Sequence, residues 1–200
     1  MLSAFLQSVV MLTVVLIFYT TDMALISRYD RERRAAGSGR SWGFTAAILA
    51  VAVLISLQPL LLPWASWRTQ ARWGLALQVL GIALLAGALC LHAWARVHLR
   101  QFYAERVELQ PDHQLVCTGP YARVRHPLFL AYFMIATGVL LLNPSPLTLG
   151  ILIYTLWDFT RAALQEERLL AANLPGYTEY TARTGRFLPR FGRPRGECSK

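Results

Sequence analysis

Five long apolar runs, divided by loops that hold nearly all the basic residues, constrain this 200-residue chain more than any other feature. Leu2 to Ile26 and Gly43 to Leu62 are each long enough to cross a hydrocarbon core of about 30 Å at about 1.5 Å per helical residue. Gly74 to Ala95 makes a third run, in which Gly81 and Gly87 leave room for a neighbouring helix to approach closely. Pro127 to Leu142 and Leu147 to about Leu164 form a pair around Asn143-Pro-Ser-Pro146, whose two prolines mark a turn. Pro127 suits the first position of a helix, where a missing N–H costs nothing. The fourth run has sixteen residues, which is short for a span.

Composition supports a membrane reading. The chain is 55% hydrophobic and 16% charged, where a soluble domain carries about 25% charged residues. Lys and Arg outnumber Asp and Glu by 20 to 11, a net charge of +9. No interleaved basic and aromatic surface motif points to nucleic acid. The basic residues cluster instead in alternate loops: five between Arg28 and Arg40, five between Arg96 and His126, and eight from Arg161 onward. A five-span, all-α integral membrane protein with its N-terminus outside and its C-terminus in the cytoplasm satisfies that pattern in every loop. The start of the chain lacks a basic stretch and runs too far for a signal-peptide core, so it reads as a retained span. Trp64, Trp67 and Trp73 read as an interface belt. With no Cys-x-x-Cys, and with His92 and His98 six residues apart, neither a metal site nor a disulfide framework is expected.

The polar chemistry is concentrated in two places. Cys117-Thr-Gly-Pro-Tyr-Ala-Arg-Val-Arg-His-Pro127 lies between the third and fourth runs, and Glu166-Glu167 lies just past the fifth. Ionisable groups near a bilayer are costly and usually used. A helix starting after His126 offers free N–H groups and a dipole end suited to an anion, with Arg123 and Arg125 adding charge; the same residues also serve as cytoplasmic anchors. Glu166 and Glu167 read either as a solvated helix face beside Arg168 or as acceptors for a ligand's hydroxyl or amino groups. Asp158 and Arg161, three apart, have the spacing of a structural ion pair. The stretch Arg106 to Cys117 alternates polar and apolar residues around Pro111-Asp-His113 and reads as a short hairpin. Gln165 to Asn173 keeps helical spacing, Pro175-Gly176 breaks it, and Tyr177, Tyr180 and Phe187 follow on an interfacial tail.

Taken in order, His113-Gln-Leu-Val116, Gly119-Pro-Tyr121, Arg125-His-Pro127, Asn143-Pro144, Glu166-Glu167 and Gly176-Tyr177 with Tyr180 resemble the isoprenylcysteine carboxyl methyltransferase family and its phospholipid methyltransferase relatives. The resemblance covers about Ala95 to Pro189. The apolar runs read as a single membrane domain over 1–200, with three spans in 1–95 and a disordered tail over 192–200; the resemblance implies a methyltransferase-like cofactor region over 96–191. It implies S-adenosylmethionine held on the cytoplasmic side, in a pocket formed by the connection between spans three and four and by the C-terminal tail. By position, the cofactor contacts fall on His113, Gln114, Leu115, Val116, Tyr121, His126, Pro127, Leu128, Phe129 and Glu166. Arg106 stands where eukaryotic members carry Gln, and Phe129 where Tyr is usual. The family's substrate-binding Arg maps to Ala162, with Arg161 one residue earlier; Arg161 and Glu167 are the candidate catalytic residues.

The implied partner is a lipophilic or lipidated acceptor in the membrane. Methylation at a carboxylate needs no general base, since cation and anion combine to neutral products. An ethanolamine-type amine must first lose a proton, with Glu166 or Glu167 as candidate base. A nicotinamide-dependent membrane reductase and a non-catalytic membrane partner are the readings from other classes.

Overall fold

The computed structural model of the protein describes residues 1–29, 42–67, 71–100 and 115–190. Its long helices follow the apolar runs: α1 (Ala4–Tyr29), α2 (Trp42–Leu61), α3 (Ala71–Leu99), α4 (Pro127–Leu142) and α5 (Pro146–Asn173), with a short α6 (Tyr177–Arg183) in the tail. Among the described residues there is no strand, only an isolated parallel bridge between Val124 and Gly185. Ala4–Arg28, Trp73–Leu99 and Pro146–Asn173 are long and apolar enough to cross a membrane, while Ile48–Leu61 and Pro127–Leu142 are shorter apolar helices. Leu16, Leu54, Ile153 and Tyr154 are each about 60% exposed, as side chains solvated by lipid should be. The chain is an integral, multi-pass membrane protein.

Asp22, Gln58, Gln78, His92 and Arg96 of the long helices turn inward. On α3, Gln78, Gly81, Leu85, Ala88, His92 and Ala95 recur at helical spacing and are buried together. This face packs on α4, the most extensive pairing in the bundle. Gly81 and Gly138 make that approach possible, since a Cβ on Gly81 would stand 2.8 Å from the Gly138 carbonyl oxygen. A Cβ on Gly87 would meet Met134 at 3.2 Å, so both glycines expected at a helix contact are at one. Deeper in the bundle, Asp22 of α1 faces His92 at 3.6 Å and Arg96 at 3.3 Å, all three buried.

One end of the bundle is closed by neutral groups. Ser145 caps α5 by accepting from the Thr148 N–H at 3.2 Å, completing a capping box beneath Pro146. Asn143 ends α4 and donates to Gln58 Oε1 of α2, while Ser66 donates to Asn143 Oδ1 at 2.7 Å. Trp67 N–H reaches the Pro144 carbonyl at 2.7 Å. These bonds fix the α4–α5 turn and present the other end of α4 to the site. Trp64 and Trp73 stay 81% and 71% exposed, consistent with an interfacial belt.

Candidate functional site

A tight turn opens the site at the His126 end of α4. Gly119 has φ +60°, and a Cβ there would lie 2.4 Å from the His98 ring. Glycine alone meets both demands. His98 Nδ1 lies 3.0 Å from Thr118 Oγ1, holding the turn against α3. The 3-10 turn Gly119–Ala122 then buries Tyr121, which packs with Ala95 and Leu128 in a small core flanked by Val116. Leu115, one residue earlier, packs instead with Cys117, Tyr177 and Tyr180 of the tail.

The tail is strapped to this loop through its backbone. Arg125 N–H donates to the Gly185 carbonyl at 2.8 Å and His126 N–H to the Arg186 carbonyl at 3.1 Å. A Cβ on Gly185 would fall 1.7 Å from the Leu188 carbonyl oxygen, so the strap admits no side chain there. The Tyr180 hydroxyl donates to the Tyr121 carbonyl at 2.7 Å. Tyr177 and Tyr180, expected on an interfacial tail, are 2% and 8% exposed. They pack onto the loop because α6 folds back across it.

Glu167 gathers three cations. Arg125 Nε (2.9 Å), His126 Nε2 (3.2 Å) and Arg186 Nε (3.0 Å) meet its Oε1, and a second Arg186 N–H reaches Oε2 at 2.8 Å. The Arg186 contact is a bidentate fork, the stronger kind of guanidinium–carboxylate pair. Arg125 also donates to the Thr181 and Thr184 carbonyls. The sequence placed Arg125 in an anion site with His126; in the structure its guanidinium binds the tail.

Glu166 approaches the other imidazole nitrogen, Nδ1, at 3.5 Å. Consecutive residues on α5 differ by about 100°, so the two carboxylates flank one ring. They stand within a helix that runs unbroken to Asn173, as the helical spacing of Gln165 to Asn173 suggested. Glu166 keeps 39% of its side chain exposed against 13% for Glu167. Burial opposes charge on His126, but hydrogen bonds and charges from Glu166 and Glu167 outweigh it and raise its pKa above the ordinary 6.5. The protonated ring can donate toward both carboxylates. Phe129 lies flat on that ring, with centroids 5.2 Å apart and planes 3° apart. From Phe129 a row of rings continues through Phe159 and Tyr132 to His92 and Phe18.

Leu115, Val116, Tyr121, His126, Pro127, Leu128, Phe129, Glu166 and Glu167 therefore come together around the start of α4. His113, Gln114 and Arg106, the expected hairpin and the 192–200 tail lie outside the described residues. Arg161 stands apart, exposed, with its guanidinium 4.8 Å over the Trp157 ring. Among the described residues no ion pair joins it to Asp158, because the aromatic face takes the guanidinium instead. Cys117 is disulfide-bonded, against the expectation from cysteine spacing. Arg186 and Gly185 were missed: a single Arg among many in a basic tail carries no periodic signal.

A family model for isoprenylcysteine carboxyl methyltransferases matches residues 79–172, from α3 to the last turn of α5. Over that segment, a little under half of its length, the chain is similar to the isoprenylcysteine carboxyl methyltransferase family. The segment contains His126, Glu166 and Glu167 but stops short of Arg186, so the tail side of the clasp lies beyond the matched part. The protein-S-isoprenylcysteine O-methyltransferase of Saccharomyces cerevisiae is 37% identical over 86 residues, 42% of this chain and 36% of its own length. The nickel-cobalt-cadmium resistance protein NccN of Alcaligenes xylosoxydans xylosoxydans is 33% identical over 88 residues, 43% of this chain and 41% of its own. The chain thus spans about two-fifths of the length of the curated relatives it matches. The solved structure of the eukaryotic intramembrane Ras methyltransferase of this family superposes with a TM-score of 0.53 at 22% identity, covering 78% of this chain and 56% of that one. That likeness is one of fold.

Proposed function

We propose that this chain is an S-adenosylmethionine-dependent methyltransferase that modifies a lipophilic or lipidated acceptor in the membrane, at a carboxylate. The similarity to that family over 79–172 supports the reaction class. The observation that carries the site is His126 held between Glu166 and Glu167, where the pre-α4 loop, α5 and the tail meet. The chain crosses the membrane five times, N-terminus outside, so that the three basic regions and this clasp share the cytoplasmic side. Residues 1–200 act as one membrane domain, with 1–95 supplying three spans and 96–191 the cofactor region.

The residues present suit this cofactor. Glu166 is half-exposed, with one carboxylate oxygen free of hydrogen-bond partners among the described residues, and can accept from ribose hydroxyls. Tyr121 and Leu128 supply a buried apolar wall continuous with Pro127, and Phe129 offers a ring face that favours a cation. Leu115, Val116, His113 and Gln114 complete the binding set. When bound, the cofactor supplies an electrophilic methyl group on a sulfonium. His126, stacked on Phe129 and held by both carboxylates, fixes the start of α4 and the orientation of Glu166. Glu167 acts as a positioning residue, its oxygens committed to Arg125, His126 and Arg186. A carboxylate acceptor needs no proton removed; an amine acceptor would have to give its proton to Glu166. Arg161, outside the clasp, is left to meet an acceptor arriving along α5.

S-Adenosylhomocysteine should raise the melting temperature of the detergent-purified protein, and NADPH should not. Glu166→Gln should weaken S-adenosylhomocysteine binding by about tenfold, the worth of one hydrogen bond to a charged group, and more than Glu167→Gln does. Stabilisation by NADPH alone would overturn the proposal. Transfer of a labelled methyl group into membrane extract would identify the acceptor.

A further inference from the structure

A cavity of about 370 Å³ opens beside Glu167, between α5 and the tail, and none of the residues assigned above to the cofactor lines it. Four arginines face it, Arg125, Arg168, Arg186 and Arg190, against the single carboxylate of Glu167. That carboxylate is already satisfied by Arg125, His126 and Arg186. Arg168 makes no ion pair with any described residue and stands exposed at the rim.

A second observation is independent of charge. Tyr177 lines the same cavity and is 2% exposed, yet its hydroxyl makes no hydrogen bond among the described residues. Buried polar groups are nearly always paired, and an exception asks for an explanation. An oxyanion in the cavity would accept from this hydroxyl while the Arg168 fork, and the Arg190 N–H groups not held by the Thr181 and Ala182 carbonyls, take its remaining oxygens. Phosphate offers the acceptors such a set needs, and arginine forks match its geometry. Leu164 adds an apolar wall on the span side, as a lipid phosphate at the membrane surface requires.

The geometry points to a phosphate-binding site in this cavity, distinct from the cofactor site and suited to an anionic phospholipid headgroup. The test uses the full chain in detergent, probed with phosphatidylglycerol and with inorganic phosphate by native mass spectrometry and thermal shift. One phosphatidylglycerol should be retained per chain and should raise the melting temperature. Arg168→Gln, on an exposed position, and Tyr177→Phe, which keeps the ring, should each weaken that binding by about tenfold. Both variants should bind S-adenosylhomocysteine as the unaltered chain does, which separates this site from the proposed activity. Displacement of the lipid by millimolar inorganic phosphate supports the same site with a soluble occupant; lipid that phosphate cannot displace supports the membrane source. Equal binding of both probes by the unaltered chain and its variants would overturn the site. So would variants that lose S-adenosylhomocysteine but not phosphatidylglycerol, since the cavity would then belong to the cofactor.

Discussion

At the Asn143 end of α4, the neutral groups of Gln58, Ser66, Asn143 and Thr148 hydrogen-bond one another, whereas at the His126 end Arg125, His126, Glu167 and Arg186 are joined by charge. The first network uses its groups on itself and locks a turn. The second leaves Glu166 half-exposed and a cavity alongside. Buried charge is an expensive way to fix a helix end, and neutral amides do that work at the far end of the same helix. The contrast points to the charged end as the one shaped for ligands.

The largest break in this comparison should come from Glu167→Ala. It would leave Arg125 and His126 buried without their shared acceptor, and removing one partner of such a pair costs about 3–5 kcal/mol. A lower melting temperature should then accompany faster tryptic cleavage at Arg183, Arg186 and Arg190; an intact, protease-resistant tail would refute the clasp. Asn143→Ala should cost about 1–3 kcal/mol by removing the amide that Gln58 and Ser66 both bond, with no change in S-adenosylhomocysteine affinity. Equal loss of affinity from this variant and from Glu166→Gln would erase the distinction between the two ends.

The smallest effect should be in pH dependence. The folded-state pKa of His126 lies above 6.5, so its contribution is complete below about pH 6.5 and is lost as pH rises through the folded value. Stability should therefore decline as pH rises above about 6.5, and His126→Gln should flatten that slope while Asn143→Ala leaves it in place.

The helices were legible because apolar length and proline placement act locally: Pro127, Pro146 and the capped Ser145 mark starts that any reader of the chain can find. His126, Glu166 and Glu167 were legible as a polar group in an apolar setting. Their division of labour was not. Which of two adjacent carboxylates is pinned depends on where Arg186 returns, and that depends on α6 folding back on Tyr121 and on a glycine that clears Leu188. Arg161 shows the converse, since its spacing from Asp158 suited a pair while Trp157, four residues earlier, presented a ring within reach. Asp22 stands as a lone acid in an apolar run, which is itself a signal of a buried partner.

That acid has a consequence for biogenesis. Asp22 emerges from the ribosome with α1, long before His92 and Arg96 of α3 exist to face it. Helix α1 must wait on a later segment for these counter-charges, which makes its pairing with α3 a late event in assembly, dependent on the order of synthesis.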